Sequence, residues 1–413
     1  MEPPTSTADL EQIFRTEHGR VFSLLLRGAA DFDAAEDALQ EAFVAALSAW
    51  PREGVPAQPA AWLLSVARNR LISRLRHDAV VRRKHAELGA AALSLGRPPA
   101  ADDELPDERL RLIFTCCHPA LGEEARVALT LREMCGLPTA AIARLFLTSE
   151  ATVAQRLVRA KRKLRDAGIP FEVPRAERLD ERTDAVLAVV YLLFTAGYSP
   201  IGDGPLVRGE LCDEAIRLQR QLCHLMPQNA EAHGLLALML LHDARRAARA
   251  DAAGELLTLA EQDRSRWDRR AIGEGTRHLE EALGHGRVGI YQIQAAIAAL
   301  HANAARAEDT DWPQIAGLYA ELFRRQPSPV TALNLAVADG MAHGAEWGLV
   351  QLDRFVEEGV LAGCGPVVAA RADLLLRAGH VARAAAAYKD AIAHARNDRE
   401  ARFFSRRLAS LTP

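Results

Sequence analysis

The chain is poor in aromatics, 5% of its 413 residues, and its six cysteines show no paired spacing. No apolar stretch reaches membrane-spanning length without a charge, and Val, Ile and Thr nowhere alternate for long at the period of a strand. Each absence removes a class of protein. Without a cysteine framework a disulfide-stapled secreted fold is out, and a reducing compartment is expected. Without a spanning run no membrane protein is expected, and without alternation no sheet. The first residues, MEPPTSTADLEQ, are polar and acidic and hold no signal-peptide pattern, so the expected location is the cytoplasm. A Gly-rich phosphate loop and a nucleophile elbow are also missing, which argues against an enzyme. Cys116, Cys117 and His118 stand in a row. Adjacent residues on a helix point in different directions, however, and no second CxxC or HxxxH completes four ligands. The expectation there is buried thiols, with no metal and no cofactor.

What is abundant is alanine, leucine and arginine, which are good helix formers, and the chain reads as all-α. Its length allows several domains with cores of their own. The net charge of −3 decides little because the charge is unevenly spread. Residues 68–84 and 156–165 are basic, whereas 31–41 and 102–107 are rich in acids. Four sections follow from composition: a helical block at 9–84, a linker at 85–107, a compact block at 108–170 and a helical remainder at 178–411. The linker holds Gly96, Pro98, Pro99 and Pro106, and IPFEVP at 169–174 closes the second block.

The remainder hints at repeats. Pro227, Pro329 and Pro366 each precede an Ala/Leu-rich segment. The pattern is clearest at 366–395, where Ala372, Leu375, Ala384, Tyr388 and Ala391 fall where a tetratricopeptide-like unit places its packing residues, with Gly379 and His380 as the turn. Arg371 stands where such a unit usually carries a large residue. A stacked helical array is expected, with an unrelated helical bundle as the alternative.

The second block carries the most informative stretch, LPTAAIARLFLTSEATVAQRLVRAKRKLR at 137–165. Pro138 and Thr139 start one short helix, whose Ile142, Ala143, Leu145 and Phe146 repeat at helical spacing. Ser149 is an expected N-cap of a second helix, and Glu150 lies where the helix dipole favours an acid. Val153, Leu157, Ala160 and Leu164 form its buried face. The other face presents Thr152, Gln155, Arg156, Arg159, Lys161, Arg162, Lys163 and Arg165, with no acid between Thr152 and Arg165. A helix of this kind fits the major groove, where Gln and Arg read base edges and other cations hold phosphates. The plainer alternative is a solvated basic face on an ordinary helical hairpin.

In the first block, residues 34–47 form an amphipathic helix with Leu39, Phe43, Ala46 and Leu47 inside and Glu36, Asp37, Gln40 and Glu41 outside. Residues 60–76 form another, with Trp62, Leu63, Val66, Leu71, Ile72 and Leu75 inside and Arg68, Asn69, Arg70, Arg74 and Arg76 outside. A proline-bounded loop, WPREGVPAQP at 50–59, lies between them. A cationic helix beside a shaped loop suits melted nucleic acid. Trp50 and Trp62 could serve as stacking platforms, although both fall in register with an apolar stripe, which favours core packing.

These residues resemble sigma-70 factors: 10–84 their region 2, and 108–166 their region 4, with no region 3 between. That layout is similar to the extracytoplasmic-function (ECF) sigma factors. AEDALQEAF, PAAWLLSVARNRLI, DERLRLIFTCCHPAL and EATVAQRLVRAKRKL resemble in particular an ECF group with a long C-terminal, tetratricopeptide-like extension. YLLFTAGY, GLLALMLLHDARR and YQIQAAIAALHA extend the likeness into the remainder. Thr195–Ala196 and the residues around Cys364 depart from the group's usual pattern. The resemblance implies core RNA polymerase and promoter DNA as partners, and a factor that initiates transcription without catalysis of its own. By it, Asp37, Gln40 and Glu41 meet polymerase. Arg68, Asn69, Arg74 and Arg76, with Trp50, Pro51 and Arg52 of the loop, meet the −10 element. Thr152, Ala154, Gln155, Arg156, Val158, Arg159, Lys161 and Lys163 meet the −35 element. The extension is expected to act in cis, by touching regions 2 and 4 or polymerase, or to hold a protein or peptide ligand. A two-module DNA-binding regulator that never meets polymerase is the rival reading.

Overall fold

The computed structural model describes residues 7–27, 29, 32–83, 105–146, 148–198, 209–251, 255–286, 288–362, 366–395 and 398–411. Among them are eighteen α-helices and no strand, apart from one isolated bridge between Ala250 and Leu256. No helix in the described residues is long and apolar enough to cross a membrane. The chain forms two compact units, Met1–Leu193 and Phe194–Pro413.

The first unit opens with three helices, α1 (Thr7–Leu26), α2 (Phe32–Glu53) and α3 (Pro59–Arg83), which pack on one another. Ala35, Ala38, Leu39, Ala42, Ala46 and Trp50 are the buried stripe of α2, and Ala60, Leu63, Ala67 and Leu71 that of α3. The stripe of α2 is rotated from the expected one: Leu47 is exposed, and Glu36 is largely buried instead of facing outward. Four shorter helices follow: α4 (Leu105–Cys116), α5 (Glu123–Glu133), α6 (Thr139–Leu145) and α7 (Glu150–Asp166). The start of α4 takes residues 105–107 out of the expected linker; the linker's earlier residues lie outside the described ones. Cys116 and Cys117 are buried as expected, and burial pushes the Cys117 thiol up to about 12. The end of this unit is the first part of α8 (Ala176–Tyr198).

The second unit continues with α9 (Gly209–Leu225) and α10 (Ala230–Asp243). Every residue of α10 from Ala232 to Leu241 is buried, because α9 and the next two helices, α11 (Arg269–Gly284) and α12 (Ile290–Asn303), enclose it. Helices α13 (Trp312–Arg325), α14 (Pro329–His343), α15 (Ala345–Glu357), α16 (Val367–Arg377), α17 (Val381–Ala393) and α18 (Asp398–Ala409) then pack each on its predecessor. Side-chain caps set several starts: Asn229 accepts from Ala232 N, Asp311 from Gln314 N, and Ser328 and Thr331 form a capping box. Between α16 and α17 the chain turns at Gly379, whose φ of +81° a side chain would strain. Ala372, Leu375, Ala384, Tyr388 and Ala391 are all buried there. The unit is thus a succession of helices that begins around one helix buried on all sides between Ala232 and Leu241.

Candidate nucleic-acid interface

Helix α7 starts where the sequence calls for it. Ser149 accepts from Thr152 N at 3.1 Å, and Glu150 occupies the first turn. Val153, Leu157, Ala160 and Leu164 are buried, and α5 and α6 pack against them. Thr152, Ala154, Gln155, Val158, Arg159 and Lys163 are exposed. Val158 is 66% exposed in the middle of this polar and cationic surface. An exposed valine beside Gln155 suits apolar contact with a thymine methyl next to a hydrogen-bonding amide. Arg156 is drawn inward, with its guanidinium 2.5 Å from Glu124 of α5 and 5.3 Å from the centre of the Phe146 ring.

Lys161 corrects the expected surface. It is 8% exposed, and its ammonium lies between Glu36 of α2 and Glu133 of α5, 3.0 Å from the latter. The helical wheel places it among cations, yet Ala160 and Leu164 flank it on the buried side, so it has no surface from which to reach a phosphate in this arrangement. Glu36 also accepts two hydrogen bonds from Arg132 of α5, and Asp33 is 3.3 Å from Arg165 of α7. The first three helices and the following four are therefore joined through a half-buried ionic cluster. His18 of α1 completes it with a bond of 3.2 Å to the Glu133 carbonyl. Burial lowers His18 to about 4, with Arg132 adding to the effect, so its imidazole is neutral at pH 7. Gly19 is what permits this approach: a Cβ there would run into the carbonyl oxygen of Met134. Local periodicity gives no sign of this joint, because Glu36 and Lys161 are 125 residues apart.

In the first block Trp50 takes the core position that its register favours, which removes it from the residues the resemblance places at the −10 element. It is 2% exposed and packs edge-on against Trp62, with ring centres 5.3 Å apart, and against Phe14 at 5.8 Å. It is a core residue and offers no face to a base. Trp50–Glu53 belong to α2, so the loop proper is 54–58, shorter than expected. Pro51, Arg52 and Asn69 are exposed, and Arg68 is half-buried with its pKa lowered by burial and by Arg27. Arg74 and Arg76 lie in α3, but their side chains are outside the described residues. Asp37 and Gln40 are exposed on α2, and Glu41 lies 3.6 Å from Arg70.

Two helical modules, one ending in a capped basic helix and the other pairing an arginine-bearing helix with a short loop, define a sigma-type promoter-recognition factor. Family models agree: residues 13–80 match sigma-70 region 2, 111–164 match sigma-70, region 4, and 182–283 match a family of unknown function, DUF6596. An uncharacterized protein of Rhizobium meliloti (strain 1021) is 42% identical over 411 residues, 98% of this chain and 97% of the relative. The ECF RNA polymerase sigma factor SigK of Mycobacterium ulcerans (strain Agy99) is 28% identical over 152 residues, 36% of this chain and 79% of the relative. SigK of Mycobacterium bovis (strain BCG / Pasteur 1173P2) is 26% identical over 184 residues, 40% of this chain and 96% of the relative. No solved structure matches the chain at comparable significance. The chain belongs to the ECF sigma factors of the sigma-70 family and carries a helical C-terminal extension. Sigma factors of this family are non-enzymatic and bind core RNA polymerase and promoter DNA.

Proposed function

We propose that α7 reads the −35 element through Gln155 and Val158 and holds phosphates with Arg159 and Lys163, while α3 and the 54–58 loop engage the −10 element in the cytoplasm. Asp37 and Gln40 of α2 meet polymerase. The observation that carries this reading is the exposed stripe of α7 lying opposite a fully buried one. Elements named for positions about 25 base pairs apart are separated by on the order of 85 Å of helix axis. The ionic cluster at Glu36 keeps the two modules together, so it belongs to a resting state that parts when polymerase binds.

The extension regulates this activity in cis. Supporting that reading is its presence on the same chain as the two sigma regions. Run-off transcription by core polymerase on a promoter from the protein's own operon tests both parts. Full-length protein is expected to start transcripts, and a chain ending after Pro174 to change their yield. No transcript from the full-length protein overturns the initiator role. Equal yields overturn the role in cis.

A further inference from the structure

The extension holds a cluster that sequence spacing conceals. His233 stands on α10, while His278 and Glu281 stand on α11, three residues apart and so on one face. Nδ1 of His233 is 3.0 Å from Nδ1 of His278 and 3.5 Å from Oε2 of Glu281. The third side, from His278 Nδ1 to that oxygen, is 3.8 Å. A triangle with sides of 3.0, 3.5 and 3.8 Å has a circumscribed radius of about 2.0 Å. Bonds from zinc to imidazole nitrogen or carboxylate oxygen are about 2.0–2.2 Å, so the three donors are spaced as one ion needs, and a small shift of the ion out of their plane leaves room for a fourth ligand.

We propose that His233, His278 and Glu281 bind one divalent transition-metal ion of the zinc class, pinning α10 to α11. The donor set is two imidazoles and one carboxylate, which suits such an ion better than calcium or magnesium. Burial is graded as a site needs: the side chains of His233 and His278 are 5% and 12% exposed, and that of Glu281 41%, which leaves a wet side for entry. A second observation is a third histidine nearby: the His285 ring is 6.3 Å from that of His233, and its Nε2 is buried without a hydrogen-bond partner. Two Nδ1 atoms facing each other share one proton at most, whereas a metal satisfies both lone pairs. Arg277 lies on the solvent side, 3.7 Å from the Glu281 carboxylate, and its guanidinium donates to His278 Nε2 at 3.1 Å; an ion on Nδ1 moves the imidazole proton to Nε2, so this exposed arginine must turn away when the metal binds.

The proposal does not depend on how the sigma modules work. It is tested on the full-length protein, stripped with a chelator and titrated with Zn²⁺ alone by calorimetry, with Co²⁺ absorption as a second readout. One ion per chain is expected, with a raised unfolding temperature and visible d–d bands from Co²⁺. His278→Gln and Glu281→Gln should each weaken binding at least tenfold, and the exposed neighbour Glu280→Gln should match wild type. Glu281 is partly exposed, so its variant keeps the fold even if the buried histidine's does not. Absence of binding, or equal affinity in wild type and Glu281→Gln, overturns the site.

Discussion

Glu36 of α2 accepts two hydrogen bonds from Arg132 of α5, at 2.7 and 3.1 Å, across 96 residues of sequence. Together with Lys161 these charges hold region 4 against region 2. Removing Glu36 leaves Lys161 with Glu133 and Arg132 with the Leu137 carbonyl, so the cost is that of lost charged hydrogen bonds, about 1.5–3 kcal/mol. Glu36→Gln is therefore expected to separate the two regions. Energy transfer between labels at Ser48 and Ala167, both exposed, measures this directly. An unchanged transfer efficiency in the variant would count against the joint.

The same cluster makes the joint sensitive to pH. Burial pushes the Glu133 carboxyl up to about 7, with Glu36 adding to the effect and Lys161 opposing it. Burial would also raise Glu36, but Lys161 and Arg132 prevail and hold it at about 2. Glu133 thus takes up a proton on folding; its penalty is absent below its ordinary value of 4.5 and grows as pH rises to about 7. Glu36 works the other way, with its support complete above about 4.5 and lost as pH falls toward 2. The joint is expected to be tightest near pH 4.5–5 and to loosen toward neutrality, and Glu133→Gln should flatten the upper limb. A label distance that stays constant between about pH 5 and about pH 7.5 contradicts this.

Gly19→Ala tests the joint without touching a charge. The added methyl meets backbone, the Met134 carbonyl, which cannot rotate away as a side chain can. A cost of about 1–3 kcal/mol is expected, with the two regions moving apart. Thermal unfolding and the same label pair report both effects. If neither changes, the approach of α1 to the end of α5 is looser than described.

On DNA the residues of α7 should divide into two kinds. Gln155→Ala is expected to reduce discrimination against −35 mutants by about 1–3 kcal/mol while sparing non-specific binding. Arg159→Ala and Lys163→Ala should weaken all sequences alike and lower the salt slope by about 1 each. Holoenzyme binding to fluorescent promoter across a salt series separates the two patterns. For the free protein, in which Lys161 is held between Glu36 and Glu133, Lys161→Ala should leave the salt slope of DNA binding as it is.

Much of α7 was legible because its information is local. Ser149, Val153, Leu157, Ala160 and Leu164 sit at fixed intervals, and a cap or a stripe needs nothing from the rest of the chain. Trp50 was legible in the same way, from its register with an apolar stripe, although the resemblance puts it at the −10 element; Lys161 was not, because it is decided by Glu36, far away in sequence and on another helix. The histidine cluster escaped for a related cause. His233 and His278 are 45 residues apart, so no ligand spacing can reveal them. Helix type and sigma organisation could be read, whereas partners across helices could not.

Trp50→Phe separates the two assignments for that residue. If it only fills the core, a smaller ring lowers stability but leaves opening of the −10 region intact once the protein is folded. Thymine reactivity in the opened strand is the measurement, and selective loss of opening at full folding would restore a stacking role.

The apolar girth of α10 has a consequence for synthesis. The helix leaves the ribosome after α9 but before α11 and α12, which complete its cover, so for a time much of its apolar surface has only α9 to lean on. At about 5–20 residues per second its covers arrive seconds later, while regions 2 and 4 are already complete. A nascent chain halted between α10 and α11 should therefore be caught by holdase chaperones, whereas one halted after α12 should escape them.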